Sequence, residues 1–262
     1  MKSQSLSQGT ISFATAITLG ESIDSYGVGS VLFSHRPEFK KGYLVVGLLT
    51  WGEYSIVKEC SLLNKLDPNM GFPLSYHVGV FEFRGPTAYG EFVEVCKSKP
   101  RENVFVSAAS NLIGHLAGQY AKLHGCYVVG YAGSQEKVKF LTERLGYDDV
   151  FNYKQQIDLK SALKSPMLAT AVASMNLFGR VAVCGVISEY TNSSTRDASE
   201  MLDILIYEYD AKFLSKTVEY LLGRKLKTIE YVSRGIESIP SAFIGLFNDK
   251  NIGKKIVKVI DD

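Results

Sequence analysis

An α/β fold built on a parallel sheet is predicted by three observations. Short apolar runs alternate with helix-period segments across residues 100–153. Gly125 and Gly146 close the two helical segments, at the position where a left-handed residue ends a helix. The composition, 46% hydrophobic against 21% charged over 262 residues, can bury the core such a sheet needs. Alternation at this spacing implies parallel strands joined by right-handed crossovers.

Residues 1–97 read as loops and short strands, punctuated at Gly27, Gly29, Pro37, Pro68, Pro73 and Gly85-Pro86. The apolar run Tyr43–Leu49 is a buried strand, and Thr87–Cys96 has the mixed periodicity of a short helix. Val104–Ala109 is a strand, followed by a helix carrying Ile113, Leu116, Ala117, Tyr120, Ala121 and Leu123 mostly at spacings of three and four. Cys126–Ala132 is the next strand, Glu136–Leu145 the next helix, and Val150–Tyr153 a third, shorter strand. Asp158–Lys164 and Met167–Asn176 read as helical, Arg180–Cys184 as a strand, Ser199–Leu222 as mostly helical and Ile252–Ile260 as a closing strand. The chain is thus expected to have two lobes. A strand–helix lobe spans about 98–225, and a smaller, mostly-β lobe is formed by 1–97 with the return of 226–262.

Charge and composition exclude several function classes. Twenty-nine Lys and Arg against 27 Asp and Glu leave a net charge of +2, with no basic footprint for nucleic acid or an anionic membrane. No apolar stretch approaches the length of a membrane span. Ser and Thr interrupt the mildly apolar Ile11–Leu19, which makes a poor signal core, and a cytoplasmic protein is expected. Cys60, Cys96, Cys126 and Cys184 are far apart, and His35, His77, His115 and His124 lack ligand spacing, so buried reduced thiols and no metal site are expected.

The turn Ala108-Ala109-Ser110-Asn111-Leu112-Ile113-Gly114 joins the first strand to its helix. A dinucleotide fold holds pyrophosphate here, where unpaired helix N–H groups meet a close backbone. Only Gly114 matches the glycine pattern, so on motif alone an ordinary βα connection fits equally well. The second turn, Ala132-Gly133-Ser134, has no acid to bind a ribose 2′-hydroxyl, and Lys137 follows it. Small residues beside a cation favour a 2′-phosphate, although Lys137 in isolation reads as a solvated helix lysine.

Longer stretches resemble a known family. Val104–Val138, Phe151–Lys154, Gly179–Tyr190 and Ile239–Val259, with upstream SYGVGSV, TWGEYSIV, FPLSYHVGV and GPTAYGEFVEVC, resemble the plant NADP-dependent alkenal double-bond reductases. These are zinc-independent members of the medium-chain dehydrogenase/reductase superfamily, with a Rossmann-like sheet, and the likeness covers roughly residues 20–262. It implies NADPH-dependent reduction of the C=C bond of α,β-unsaturated aldehydes and ketones, NADP(H) as cofactor, and a homodimer. Carried over, Ala108, Ser110 and Gly114 lie in the pyrophosphate turn, Lys137 meets the 2′-phosphate with Tyr153 beside it, and Cys184 and Tyr190 run along the nicotinamide. The resemblance makes Tyr190 the proton donor to the enolate left by hydride transfer, Asn251 a cofactor contact, and Tyr26 a substrate-pocket residue. A lone Tyr190 would read only as a half-buried tyrosine at a strand end.

The sequence departs from the family at identifiable places. Asn111 replaces the central glycine of the turn, and its side chain would crowd a pyrophosphate. The N-terminal strands of the family are missing, as are a strand and turn between Pro166 and Met167 and a strand between Ile206 and Tyr207, so an abbreviated sheet is expected. An alternative reading is a catalytically inactive, shortened paralogue that binds nucleotide or a partner. A short-chain reductase is discarded, because its Tyr-x-x-x-Lys pair occurs only as Tyr54 and Lys58, upstream of the turn. A zinc-dependent alcohol dehydrogenase lacks its ligand set.

Overall fold

The structure, a computed structural model, describes residues 19–58, 63–155, 175–185, 210–248 and 251–260. Its described strands form three sheets. The first is antiparallel, with β1 (Asp24–Ser30) against β2 (Leu44–Thr50) and the two-residue β3 (Asn64–Lys65) on the far side of β2. Tyr26 faces Leu48 across the β1–β2 ladder.

A short helix, α1 (Arg84–Gly90), runs directly into a single π-helical turn over Glu91–Val95. The parallel sheet follows: β4 (Asn103–Val106), α2 (Leu112–Leu123), β5 (Tyr127–Ala132), α3 (Gln135–Lys139) with a π-helical turn over Phe140–Arg144, and β6 (Asp149–Asn152). Val104 pairs with Val128 and Tyr131 with Phe151, so β5 lies between β4 and β6. These are the predicted strands and crossovers, to within a few residues at their ends. Val104–Ala109 proves shorter than expected, because the chain leaves the ladder after Val106 to make the turn.

The helices are held by the apolar spacing that predicted them. Leu112, Leu116, Tyr120 and Ala121 are buried in one cluster with Val106 of β4, Val128 of β5, Leu141 of the π-helical turn after α3, and Val80 and Ala88. Tyr147 fills the gap between α2 and β5, and its hydroxyl donates to the Gly114 carbonyl at 2.8 Å. Gly125, at φ +77°, ends α2 and returns the chain to β5.

Helix α4 (Asp210–Leu222) closes this core, with Phe213 buried and Thr217 hydrogen-bonded to the buried Tyr120 hydroxyl at 2.9 Å. Beyond it, β7 (Glu230–Arg234), α5 (Ile239–Phe247) and β8 (Lys254–Lys258) form a parallel βαβ unit. Trp51 meets Phe243 edge to face at 5.4 Å, which joins the first sheet to the C-terminal unit.

One strand is not where the sequence placed it. Arg180–Cys184 forms no ladder among the described residues, and Val181 and Val183 stay 43% and 42% exposed. Arg180 is instead ion-paired with Glu102, just before β4. A local apolar run fixes no pairing partner, and this segment stays off the edge that β4 leaves open among the described residues, although Arg180 ties it to Glu102. Cys96 and Cys184 are half-buried and Cys126 is buried, all with free thiols. The expected helices over 158–164 and most of 167–176 lie outside the described residues.

Candidate functional site

The carboxyl ends of β4, β5 and β6 point the same way, and the turns that follow them carry most of the predicted cofactor residues. This is where open α/β sheets bind their ligands. After β4, Ala108 takes φ +46° and the turn closes with the Asn111 amide on the Ala108 carbonyl at 2.9 Å. Ser110 is buried, and its carbonyl accepts from the Gly253 amide at 2.8 Å. A Cβ on Gly114 would lie 2.5 Å from the Ala108 carbonyl oxygen, so only glycine lets α2 start this close to the turn. That close approach brings the free amides of α2 to the turn, and it fits a bound pyrophosphate.

Asn111 is the N-cap of α2, in extended conformation (φ −75°, ψ 164°), and its side chain makes no capping bond. The left-handed conformation falls on Ala108 rather than on residue 111. A glycine is therefore not required at 111 by the backbone, and the question its side chain raises is one of space alone.

After β5, Ser134 caps α3 by accepting from the Lys137 amide at 3.3 Å. Lys137 is only 3% exposed. At the end of β6 the Tyr153 amide donates to the Ala132 carbonyl at 3.2 Å, and its ring stacks on Tyr131 at 4.9 Å. Ala108, Ser110, Gly114, Lys137 and Tyr153 thus share one end of one sheet. Asn251 joins them through the C-terminal segment, because Gly253 bridges to Asn111 and the Asn251 amide reaches the Gly253 carbonyl at 3.5 Å.

Two residues stand apart and one lies outside the described chain. Cys184 has Glu91 and Cys96 as neighbours; burial, then those two groups, pushes its thiol up to about 12. Tyr26 lies on β1 with its ring 6.3 Å from Phe83, and burial followed by the Glu82 carboxylate raises its hydroxyl above the ordinary tyrosine range. Tyr190 lies outside the described residues.

Sequence reasoning missed a cluster beside Tyr26. The Glu82 carboxylate, its side chain 1% exposed, accepts from Arg84 Nη1 at 2.6 Å (Oε1) and from Lys254 Nζ at 3.3 Å (Oε2). Burial, with the Arg84 charge adding and Glu82 opposing, pushes the Lys254 ammonium down to about 8. The signal was present as Glu82-Phe83-Arg84, two opposite charges flanking an aromatic before Gly85-Pro86, a stretch that reads as mere turn punctuation.

Comparison with known proteins agrees with this geometry. A zinc-binding dehydrogenase family model matches residues 113–167. Among the described residues no three His, Cys, Asp or Glu side chains gather as a metal site. The chain is 40% identical to the NADP+-dependent 2-alkenal reductase of Nicotiana tabacum, an alignment covering 95% of this chain and 80% of the relative. It is 37% identical to (+)-pulegone reductase of Mentha piperita over 93% and 80% of the two chains. The crystal structure of CurA from Vibrio vulnificus in complex with NADPH superposes with a TM-score of 0.80 at 25% identity, covering 97% of this chain and 84% of that one. At this identity and coverage the chain belongs to the NADP-dependent alkenal double-bond reductase family of the medium-chain dehydrogenase/reductases.

Proposed function

We propose that the protein reduces the C=C bond of small α,β-unsaturated aldehydes or ketones with NADPH. The observation that carries this reading is the gathering of Ser110, Gly114, Lys137, Tyr153 and, through Gly253, Asn251 at the carboxyl end of the parallel sheet. The Lys137 ammonium suits a 2′-phosphate, and the turn at Ala108–Gly114 gives a pyrophosphate its amides. NADPH, when bound, supplies the hydride. The chain's own task is to fix the carbonyl, exclude water, and offer a proton or hydrogen bond to the oxygen that gains charge, a task we assign to the Tyr190 hydroxyl. Tyr26, at the Phe83 edge, lines the substrate side.

We further infer two lobes, a dinucleotide lobe over about 98–225 and a substrate lobe from 1–97 and 226–262, and a homodimeric, cytoplasmic enzyme. The test is NADPH oxidation by the purified chain with a medium-length 2-alkenal, with the saturated aldehyde identified as product. Turnover that falls at least a hundredfold in Tyr190→Phe supports the assignment; undiminished turnover in that variant overturns it. A second reading, a nucleotide-binding paralogue without activity, is favoured by Asn111 at the mouth of α2. It predicts an NADPH-dependent rise in Tm with no alkenal consumed.

A further inference from the structure

We propose that the cleft between the carboxyl ends of α2 and α4 binds a small phosphorylated anion, at a site separate from the nucleotide turn.

The cleft has a volume of about 370 Å³, and Lys122, Arg144, Arg224, Lys225 and Lys227 line it together with the buried Gln119. Its walls are held mostly by neutral groups. The Gln119 carboxamide accepts from the Lys227 amide at 2.8 Å and donates to the Lys227 carbonyl at 2.9 Å, which clamps the segment after α4 onto α2. Lys227 Nζ donates to the Arg144 carbonyl at 2.8 Å and ties the same segment to the end of the π-helical turn after α3. The Arg144, Arg224 and Lys225 side chains are exposed and make no hydrogen bond or ion pair among the described residues.

Counting the carboxylates around the cleft leaves it positive. Lys122 donates to both Asp148 oxygens, at 2.6 and 2.7 Å, so these two charges cancel. Glu143 lines the cleft but has Lys139 4.0 Å away, and Glu219, near Lys225, accepts from Lys216 at 2.9 Å. Asp149 accepts from the Val150 amide. Glu230, the next carboxylate along the chain, hydrogen-bonds Ser75 and stands opposite Lys254 in the β7–β8 ladder. Arg144, Arg224, Lys225 and Lys227 therefore face at most Asp149. The carbonyl ends of α2 and α4 add about half a negative charge each, which leaves roughly two positive charges over. A phosphate monoester, at about −1.5 to −2, matches that excess, and its oxygens suit the guanidinium fork.

Backbone conformation supplies a second argument. Arg224 follows α4 at φ +54°, in the left-handed region that glycine occupies at least cost. A side chain kept at such a position marks a candidate functional site. The cleft also lies at the far end of the 12-residue α2 from Asn111, about 18 Å along the helix, so a pyrophosphate in the nucleotide turn does not fill it.

The test is thermal unfolding of the full chain with inorganic pyrophosphate, against potassium chloride at equal ionic strength. Pyrophosphate is expected to raise Tm by roughly 2 °C or more beyond the chloride control. The response is expected to persist with NADPH at saturation and in Lys137→Gln, which separate the cleft from the nucleotide turn. Arg224→Gly is expected to raise the unliganded Tm, by relieving the left-handed residue, yet to remove most of the pyrophosphate response, whereas Arg224→Lys keeps part of it. A purely structural role would not move the two quantities in opposite directions. Arg144→Gln is expected to weaken pyrophosphate binding about tenfold in a calorimetric titration. A shift equal to that of chloride, a response lost in Lys137→Gln or with NADPH bound, or a full response in Arg224→Gly overturns the proposal.

Discussion

Two residues in α2 make opposite demands. Asn111 is its N-cap residue, with a side chain that caps nothing, in a backbone conformation open to glycine. Asn111→Gly is expected to tighten NADPH binding by about tenfold, or about 1.4 kcal/mol, at little cost to folding, since there is no capping bond to lose. Titration of bound NADPH fluorescence reads this directly, and unchanged affinity would mean the side chain already clears the pyrophosphate. One turn on, His115 is fully buried with neither ring nitrogen hydrogen-bonded among the described residues, and burial pushes it down to about 4. Its folded value lies below the unfolded value of about 6.5, so the unfolded chain binds the extra proton between them. Stability is therefore lost as pH falls from about 6.5 toward 4, by up to about 3 kcal/mol. His115→Leu should flatten that loss, so its Tm should exceed wild type by more at pH 5 than at pH 8. An equal difference at both pH values would show that the imidazole does not titrate in this window.

At the scale of elements, the strand–helix alternation was legible because each βα unit carries its own signals. Apolar runs set β4, β5 and β6, and the spacing from Ile113 to Leu123 marked the face of α2 on which Leu116, Tyr120 and Ala121 are buried. The π-helical turns after α1 and α3 were not legible, since a π turn differs from an α turn by a single hydrogen-bond step and leaves the apolar pattern almost unchanged. Nor was the fate of Arg180–Cys184, because pairing depends on a neighbouring edge that a local run cannot announce. The packing of α2 on β5 shows the same limit. Gly118 and Gly130 read as ordinary glycines, yet Tyr147 lies over both: a Cβ would fall 2.6 Å from Tyr147 Cε2 at Gly118 and 2.9 Å from Cδ1 at Gly130. Gly118→Ala should therefore cost about 1–3 kcal/mol by displacing Tyr147 from the Gly114 carbonyl, seen as a lower urea midpoint with unchanged slope. A midpoint equal to wild type would mean that the ring has room to move.

At the scale of the whole molecule, the C-terminal unit completes the candidate site. Gly253 crosses onto Ser110 and Asn111, and Lys254 reaches Glu82 ahead of α1, so residues more than 140 positions apart in sequence meet at one mouth. Family resemblance made Asn251 and Lys137 legible as candidate site residues, whereas the Glu82–Arg84–Lys254 cluster exists only once the C-terminal strand has folded back. The account stands on one claim, that this abbreviated sheet folds and reads the 2′-phosphate through Lys137. The most direct test is thermal unfolding of the purified chain with NADPH and with NADH, beside the variant Lys137→Gln. At about 100 times its dissociation constant NADPH should add about 2.7 kcal/mol, a rise of several degrees in a cooperative transition. The account predicts that NADH raises Tm less and that Lys137→Gln brings the two cofactors level. An absent transition, or equal shifts with the two cofactors in the wild-type chain, would contradict it.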